Sequence, residues 1–216
     1  MTARIMIVDD DPLVRSGLRL LLGGDPGLDI VAEAGNGQEA LDIHGAAPVD
    51  LVLMDLRMPV LDGIAATGRF KELTSPPAVI VLTTFDADDY VVRALAMGAD
   101  GFLLKDTPPD DIVAAIHEVL DGRPALSPSV TAALIKQVVS TGGSRASSAS
   151  GRVDQLTARE RDVAVELARG ASNAEIAQRL YMSLATVKAH ISHIFTKLDA
   201  TNRVQVAILM HDAGMV

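Results

Sequence analysis

The chain has 216 residues and a formal net charge of −9, and 49% of its residues are hydrophobic but only 3% aromatic. This composition excludes a disordered protein and predicts a globular fold with an aliphatic core. Every apolar run is much shorter than the roughly 18–20 residues that span a bilayer, and the start lacks a signal peptide's apolar stretch. The sequence has no cysteine, which excludes disulfides and thiolate metal sites. We therefore expect a cytoplasmic protein with no membrane partner.

Charge is divided unevenly along the chain. Residues 1–125 carry −12 and residues 126–216 carry +3, a difference that indicates two domains with different partners. Residues 140–151 contain no large apolar side chain, so we expect a flexible linker there. The predicted parts are a first domain, a helical segment with the linker, and a second domain, at residues 1–122, 123–152 and 153–216.

The first domain alternates short aliphatic runs with amphipathic stretches. The aliphatic runs lie at residues 5–8, 30–32, 51–54, 79–82 and 102–104. The amphipathic stretches lie at residues 12–22, 38–46, 62–73, 87–97 and 109–120. Three of the runs are continuous, as expected for strands that are covered by helices on both faces. The pattern predicts an α/β domain with a doubly wound, five-stranded parallel sheet.

Polar residues stand where the predicted strands end: Asp9 and Asp10, Asp55, Thr83 and Lys105. The carboxyl ends of parallel strands meet at one edge of a sheet, where such folds bind ligands. Clustered carboxylates repel one another unless a cation lies among them, and Mg²⁺ favours carboxylate and phosphate oxygens. We therefore predict a magnesium site in which the Asp55 carboxylate attacks phosphorus as a nucleophile. Lys105 would neutralise the transferred group, and Thr83 would bind it and report its presence.

These residues resemble the receiver domain of two-component response regulators over residues 4–120. The similar motifs lie at residues 7–10, 53–63, 82–84 and 98–105. The resemblance implies a CheY-like fold with strand order 2-1-3-4-5 and phosphorylation of Asp55 by a sensor histidine kinase.

The same resemblance implies how the site is composed. Asp10, Asp55 and the backbone carbonyl of Arg57 would bind Mg²⁺, with Asp9 in support, and Phe102 would be the aromatic switch residue. A third acid, Asp11, leaves the register of the acidic pair open, although Asp9 and Asp10 directly follow the strand. Asp106 stands where many receivers have proline, so the backbone after Lys105 is expected to differ.

The second domain has a helical pattern throughout. Candidate helices lie at residues 157–169, 173–180, 184–198 and 202–212, after an earlier one within residues 124–139 that begins at Ser127-Pro128. Thr157 and Glu160 have the spacing of a capping box. The pattern predicts a separate all-α domain of four helices that contains a helix-turn-helix.

The helix predicted at residues 184–198 has an apolar side and a side of small and basic residues. Small side chains permit close approach to the DNA major groove, where a lysine can contact a guanine edge and an alanine a thymine methyl. Thr186 near the start of the helix would bind a phosphate. The predicted DNA contacts are Thr186, Lys188, Ala189, Ser192, His193 and Lys197.

Residues 156–208 resemble a LuxR-type helix-turn-helix, and the two domains together resemble the NarL/FixJ group of response regulators. The resemblance to a LuxR-type helix-turn-helix rests on motifs at residues 156–160, 167–170, 173–177, 186–190 and 197–198, with Arg203. It implies a homodimer on double-stranded DNA through the helix at residues 202–212. The resulting hypothesis is a transcription regulator, rather than a turnover enzyme, in which phosphorylation of Asp55 controls dimerisation and DNA binding.

Other interpretations fit parts of the sequence. Residues 35–40 match the G-x-G-x-x-A dinucleotide fingerprint, but not on the first strand, where it usually lies. His190 and His193 have a metal-compatible spacing without a matching acidic partner. A phosphatase with an aspartyl nucleophile would need a second aspartate two residues later, where Arg57 stands. A regulator that binds DNA without phosphorylation and a protein-binding helical module remain further alternatives.

Overall fold

The first domain alternates strands and helices in the predicted order. We analysed a computed structural model that describes residues 2–84, 88–127, 130–131 and 146–216. The strands are β1 (Ala3–Val8), β2 (Leu28–Ala34), β3 (Leu51–Met54), β4 (Ala78–Thr83), β5 (Gly101–Leu104) and β6 (Ala125–Leu126). The helices are α1 (Pro12–Leu22), α2 (Gly37–Ala46), α3 (Gly63–Lys71), α4 (Asp88–Ala96) and α5 (Pro109–Leu120).

All strands pair in parallel, in the order β2-β1-β3-β4-β5-β6. Helices α1 and α5 pack on one face of the sheet and α2 and α3 on the other, so strand β3 is buried on both sides. This burial explains why its sequence is continuously apolar. The predicted CheY-like α/β fold is confirmed, with one more strand at the edge.

The sixth strand was not predicted. Ala125 and Leu126, just before the helix that was predicted from Ser127 onward, pair with Gly101 and Phe102 of β5. A strand of two residues is too short to show any periodicity, which is why the sequence did not reveal it. Residues 130 and 131 are helical, and residues 132–139 lie outside the described part of the chain.

The second domain is helical, with α6 (Ala146–Val153), α7 (Ala158–Ala168), α8 (Asn173–Arg179), α9 (Leu184–Leu198) and α10 (Arg203–Asp212). Thr157 forms the predicted capping box with Glu160, and Ser172 forms a second one with Glu175. The side of α9 that carries Val187, Ile194 and Leu198 is completely buried. Burying each of these side chains stabilises the domain by about 1.5–3 kcal/mol. No helix among the described residues is both long and apolar enough to cross a membrane.

The linker prediction was wrong for residues 146–151, which belong to helix α6. Small residues do not prevent this helix from packing, because Ala149 and Val153 are buried against the second domain. The sequence between residues 140 and 145 lies outside the described residues.

Gly63 is required where helix α3 begins. A Cβ atom at this position would overlap the backbone carbonyl of Asp55, and the Gly63 N–H donates to the carbonyl of Leu56 at 3.0 Å. The Asp62 side chain caps the same helix by accepting from the Ala65 N–H at 2.8 Å, so residues 62 and 63 together form the start of α3.

We expect Gly63→Ala to lower the free energy of unfolding by about 1–3 kcal/mol, the range for overpacking. Gly17→Ala is the matched control, because Gly17 lies within α1 and has nothing within 4 Å of an added Cβ. The control should be more stable by about 0.4–1 kcal/mol. Urea unfolding of both variants tests this, and equal effects at the two sites would contradict it.

Candidate functional sites

Lys105 joins the two buried carboxylates at the carboxyl edge of the sheet. Its Nζ lies 2.5 Å from Asp9 Oδ2 and 3.0 Å from Asp55 Oδ1. Asp9 and Asp55 are 2% and 6% exposed, so both carboxylates are largely removed from water. The structure therefore brings together three of the residues that the sequence placed at the strand ends.

Backbone hydrogen bonds between strands fix these positions. The Asp55 N–H donates to the carbonyl of Val8 at 2.8 Å, and the Lys105 N–H donates to the carbonyl of Thr83 at 2.8 Å. Thr83 ends strand β4 and is 1% exposed. Each side chain thus leaves the sheet at the same edge because each follows, or ends, a paired strand.

At this edge of the sheet, one ammonium group faces two buried carboxylates, so negative charge exceeds positive charge. Burial raises the pKa of Asp55 above its usual value and the charge of Asp9 adds to this rise, although Lys105 and the Arg57 N–H oppose it. Burial also acts to lower the pKa of Lys105, but its hydrogen bonds with Asp9 and Asp55 outweigh burial and raise it. Lys105 therefore stays protonated, and ionised Asp55 is held at a cost in stability.

The acidic loop after β1 contains two residues with different roles. Asp11 caps helix α1 by accepting from the Leu13 N–H at 2.8 Å, which makes it a structural residue. Asp10 is exposed and lines a cavity of about 640 Å³ together with Arg57 and Asp62. Asp11 is thus engaged at the start of α1, and the assignment of Asp9 and Asp10 as the acidic pair stays a prediction.

The oxygen ligands at the carboxyl edge of the sheet are of the chemical type that a hard divalent cation prefers. They are carboxylates, and the Arg57 backbone lies next to them, since its N–H donates to Asp55 Oδ2 at 2.8 Å. Within the described ranges, no three Asp, Glu, Cys or His side chains are spaced to hold a metal. A magnesium ion would therefore need backbone oxygens and water as additional ligands, which is usual for this ion.

Two aromatic residues connect this edge with helix α4. Phe102 is fully buried and packs in a cluster with Val91 and Leu95 of α4. The Arg57 guanidinium lies over the Tyr90 ring, 5.7 Å from its centre. The loop that follows Asp55 is thus in contact with the first turn of α4.

Arg15 also contacts the acidic loop, and the sequence analysis did not identify it. Its Nη1 donates to the backbone carbonyl of Asp9 at 2.7 Å. An arginine on the polar side of a helix is usually a solvated surface charge, and the sequence gives no reason to expect otherwise for Arg15. Its position four residues after Asp11 was the one sign in the sequence that it could reach the acidic loop.

Five of the six predicted DNA contacts form a surface on helix α9, and the first domain does not cover this surface. They are Thr186, Lys188, Ala189, Ser192 and His193. The helix begins at the cap residue Ser183, whose hydroxyl accepts from the Thr186 N–H at 3.1 Å. We call these five residues the groove face.

Lys197 has a different contact from the predicted one. Its Nζ lies 2.6 Å from Glu160 Oε2, and its side chain is half-buried. The hydrogen bond from Lys197 lowers the pKa of Glu160 to about 2, with further help from Thr157. Helical periodicity placed Lys197 near the groove face, but it could not reveal that Glu160 on the neighbouring helix binds its charge.

The start of helix α10 is held by the last turn of α4 in the first domain and by the loop that follows that turn. The Asn202 Nδ2 donates to the carbonyls of Leu95 and Ala99, both at 2.8 Å. The Gln205 Nε2 donates to the carbonyls of Leu95 and Ala96, both at 2.9 Å. Asn202 is 0% exposed, so this contact, which we call the domain latch, excludes water. This contact between the domains therefore involves α10 and not the groove face.

A second, weaker contact joins the end of α5 to the start of α8. The Asn173 N–H donates to the carbonyl of Asp121 at 3.3 Å. Two of the three buried polar side-chain atoms without a partner among the described residues also lie here, namely Arg123 Nε and Asn173 Oδ1. This contact thus contains one long backbone hydrogen bond, and fewer hydrogen bonds are formed here than at the domain latch.

The motifs behind the alternative interpretations, residues 35–40 and the two histidines of α9, have ordinary structural surroundings. In the G-x-G-x-x-A segment, Asn36 caps helix α2 by accepting from the N–H groups of Gln38 and Glu39. His193 is exposed and His190 is half-buried on α9.

Both domains match known families. Residues 5–117 match the response regulator receiver domain, and residues 154–210 match the luxR family of bacterial regulatory proteins. These two matches, together with the acidic site on the parallel sheet and the helix-turn-helix of the second domain, define a two-component response regulator. The chain belongs to the NarL/FixJ-type response regulators, which regulate transcription and are not turnover enzymes.

Individual relatives are similar over nearly the whole chain. The nitrate/nitrite response regulator protein NarL of Escherichia coli (strain K12) is 35% identical over 97% of this chain and 95% of its own. The transcriptional regulatory protein LnrK of Bacillus subtilis (strain 168) is 39% identical over 95% of this chain and 94% of its own. The crystal structure of ChrA, from a heme-sensing two-component system, is 34% identical with a TM-score of 0.54, covering 100% of this chain and 99% of that one.

We expect Asp55→Asn to raise the free energy of unfolding at neutral pH in magnesium-free buffer. A group whose pKa is higher in the folded state stabilises the fold when protonated and loses that contribution as pH rises through the raised pKa. The difference in the free energy of unfolding between Asp55→Asn and wild type should therefore become smaller as the pH is lowered. Urea unfolding over a pH series measures this, with Asp29→Asn, at an exposed carboxylate, as the control. A variant less stable than wild type at neutral pH would contradict it.

Proposed function

We propose that this regulator accepts a phosphoryl group on Asp55 from a sensor histidine kinase, and that this modification controls its dimerisation and its binding to double-stranded DNA. The observation that carries the proposal is the joint contact of Lys105 with Asp9 and Asp55. A surface lysine would be solvated, whereas this one lies between two buried carboxylates at the ligand-binding edge of the sheet.

The chemistry is an in-line transfer to the Asp55 carboxylate. One Asp55 oxygen forms a bond to phosphorus, and the bond between phosphorus and the donor atom breaks. The donor atom is the imidazole nitrogen of a phosphohistidine or an oxygen of an acyl phosphate, and it leaves with the electron pair. Lys105 then neutralises the phosphoryl oxygens, which spread the charge of the transition state.

Magnesium would be bound by Asp10, Asp55 and the carbonyl of Arg57, with Asp9 in support. When bound, the ion offsets the carboxylate charges and the charge of the phosphoryl oxygens. Thr83 lies at the end of β4, from which its hydroxyl can donate to the new group, and Phe102 packs between β5 and α4.

Helix α4 provides a route from Asp55 to the second domain. Its first turn contacts Arg57 through Tyr90, and the carbonyls of its last turn form the domain latch. A shift of α4 would therefore disturb the hydrogen bonds of Asn202 and Gln205. We propose that phosphorylation opens the latch and frees α10 for the dimer contact, while the groove face stays available throughout.

Incubation with acetyl phosphate and Mg²⁺, followed by intact-mass measurement, tests the proposal. Wild type should gain the mass of one phosphoryl group, whereas Asp55→Asn should gain none and Asp29→Asn should behave as wild type. A gain that survives in Asp55→Asn, or no gain in wild type, would remove the basis of the proposed switch.

Asn202→Asp is expected to open the domain latch without phosphorylation. The new carboxylate keeps the oxygen that accepts from the Gln205 N–H, so the cap of α10 remains. It loses both amide donors and faces two carbonyl oxygens, which should cost about 1–3 kcal/mol. Small-angle scattering should give a larger radius of gyration than for wild type.

The matched control is Asn36→Asp, which changes a helix cap that makes no contact between domains. An unchanged radius of gyration in Asn202→Asp, with folding retained, would count against the latch as the main connection between the domains.

Lys188→Ala should weaken DNA binding on the order of 10-fold, the size of one good base or phosphate contact. Arg69→Ala removes the same charge from an exposed position on α3 of the first domain and should leave affinity nearly unchanged. Titrations at several salt concentrations separate the two kinds of contact, because a lost phosphate contact also lowers the salt slope by about 1. Equal affinities of the two variants would exclude Lys188 from the interface.

A further inference from the structure

The loop that joins β1 to α1 depends on four polar contacts of Asp9. Its N–H donates to the carbonyl of Ala34 at 3.1 Å, and its Oδ1 accepts from the Asp11 N–H at 3.0 Å. Its Oδ2 pairs with Lys105, and its carbonyl accepts from Arg15 Nη1 at 2.7 Å. The first three contacts fix the backbone before the loop and the Asp9 side chain. Among the described residues, only Arg15 contacts the peptide group that leads into Asp10.

That peptide group determines where Asp10 lies. The carbonyl of Asp9 and the N–H of Asp10 share one rigid plane, so a donor that holds the carbonyl also sets the direction of the chain at Asp10. Asp10 is exposed, and its side chain forms no hydrogen bond or ion pair with the described residues, unlike that of Asp11, which caps α1. Three consecutive carboxylates also repel one another, and the guanidinium charge of Arg15 offsets this repulsion.

Arg15 is itself held from the other side. Its Nε lies 3.3 Å from Glu33 Oε2 on strand β2, and its side chain is only 20% exposed. Arg19 pairs with the other oxygen of Glu33 at 2.5 Å but donates to the carbonyl of Ile30, away from the acidic loop. The two arginines thus share one carboxylate, and only Arg15 reaches Asp9.

We propose that Arg15 is a positioning residue for the magnesium-binding side of the phosphoacceptor site. It is anchored by Glu33 and holds the carbonyl of Asp9, and in this way it fixes the backbone that carries Asp10 into the site. This inference rests on the proposed function, since it assigns a residue to the site in which Asp55 accepts a phosphoryl group.

The experiment compares full-length Arg15→Ala and Arg19→Ala. Both variants remove one arginine from Glu33, and only the first removes the contact with Asp9. Calorimetric titration with Mg²⁺ alone measures the affinity, and urea unfolding in EDTA measures stability without the ion. Arg15→Ala should bind Mg²⁺ about 10-fold more weakly than wild type, the lower end for residues that orient metal ligands. Arg19→Ala should stay within about 2-fold of wild type.

A kinetic measurement separates positioning from a loss of folding. The initial rate of phosphorylation by acetyl phosphate should need more Mg²⁺ for half-saturation in Arg15→Ala, whereas the rate at saturating Mg²⁺ should approach that of wild type. Arg15→Lys retains a cation that can donate to the carbonyl and should recover part of the affinity. If Arg15→Ala does not fold, Arg15→Gln replaces it in the same comparison with Arg19→Ala.

Two failures are distinguishable. If wild type binds no Mg²⁺ and accepts no phosphoryl group, the proposed function itself is overturned. If wild type does both and Arg15→Ala has the affinity of wild type or of Arg19→Ala, only the role of Arg15 is overturned, because the contact with Asp9 then does not affect the ion.

Discussion

The side chain of Lys105 makes an acidic edge of the sheet compatible with folding. Two buried carboxylates that face each other would repel at low effective dielectric, and each ammonium contact offsets part of that repulsion. One ammonium is not enough, since the pKa of Asp55 remains raised by burial and by Asp9. The site is thus stable enough to exist and still gains from further positive charge. A site in this condition favours a divalent cation and a group that the cation can help to bind.

The same constraint explains the structure around the loop after β1. Gly63 lets helix α3 begin directly against the carbonyl of Asp55, and Asp11 starts helix α1 within the acidic loop. Arg15 reaches back from that helix to the carbonyl of Asp9. The backbone near the carboxylates is therefore held by helix starts, while Lys105 neutralises the side chains.

Sequence reasoning succeeded where local pattern determines position. Continuous apolar runs predicted the strands, and parallel strands bring Asp9, Asp55 and Lys105 to one edge whatever the details of packing. It failed where a contact depends on which elements become neighbours. Asn202 could be recognised as a helix cap, but its amide also binds α4 more than 100 residues earlier in the chain. Lys197 pairs with Glu160 for the same reason, and no helical pattern contains that information.

The polar character of the domain latch suits a contact that must open. Its four hydrogen bonds involve neutral amides and carbonyls, each with a net contribution of about 0.5–1.5 kcal/mol, and water can replace them when the domains separate. The unsatisfied atoms at Arg123 and Asn173 reduce the stability of the boundary further. A coupling free energy of about 1–3 kcal/mol, typical of allosteric proteins, then changes the ratio of closed to open molecules by about 5–150-fold. Since the groove face is exposed in the closed arrangement, that change would act on DNA binding through α10 and the pairing of two chains, and not by uncovering the recognition helix.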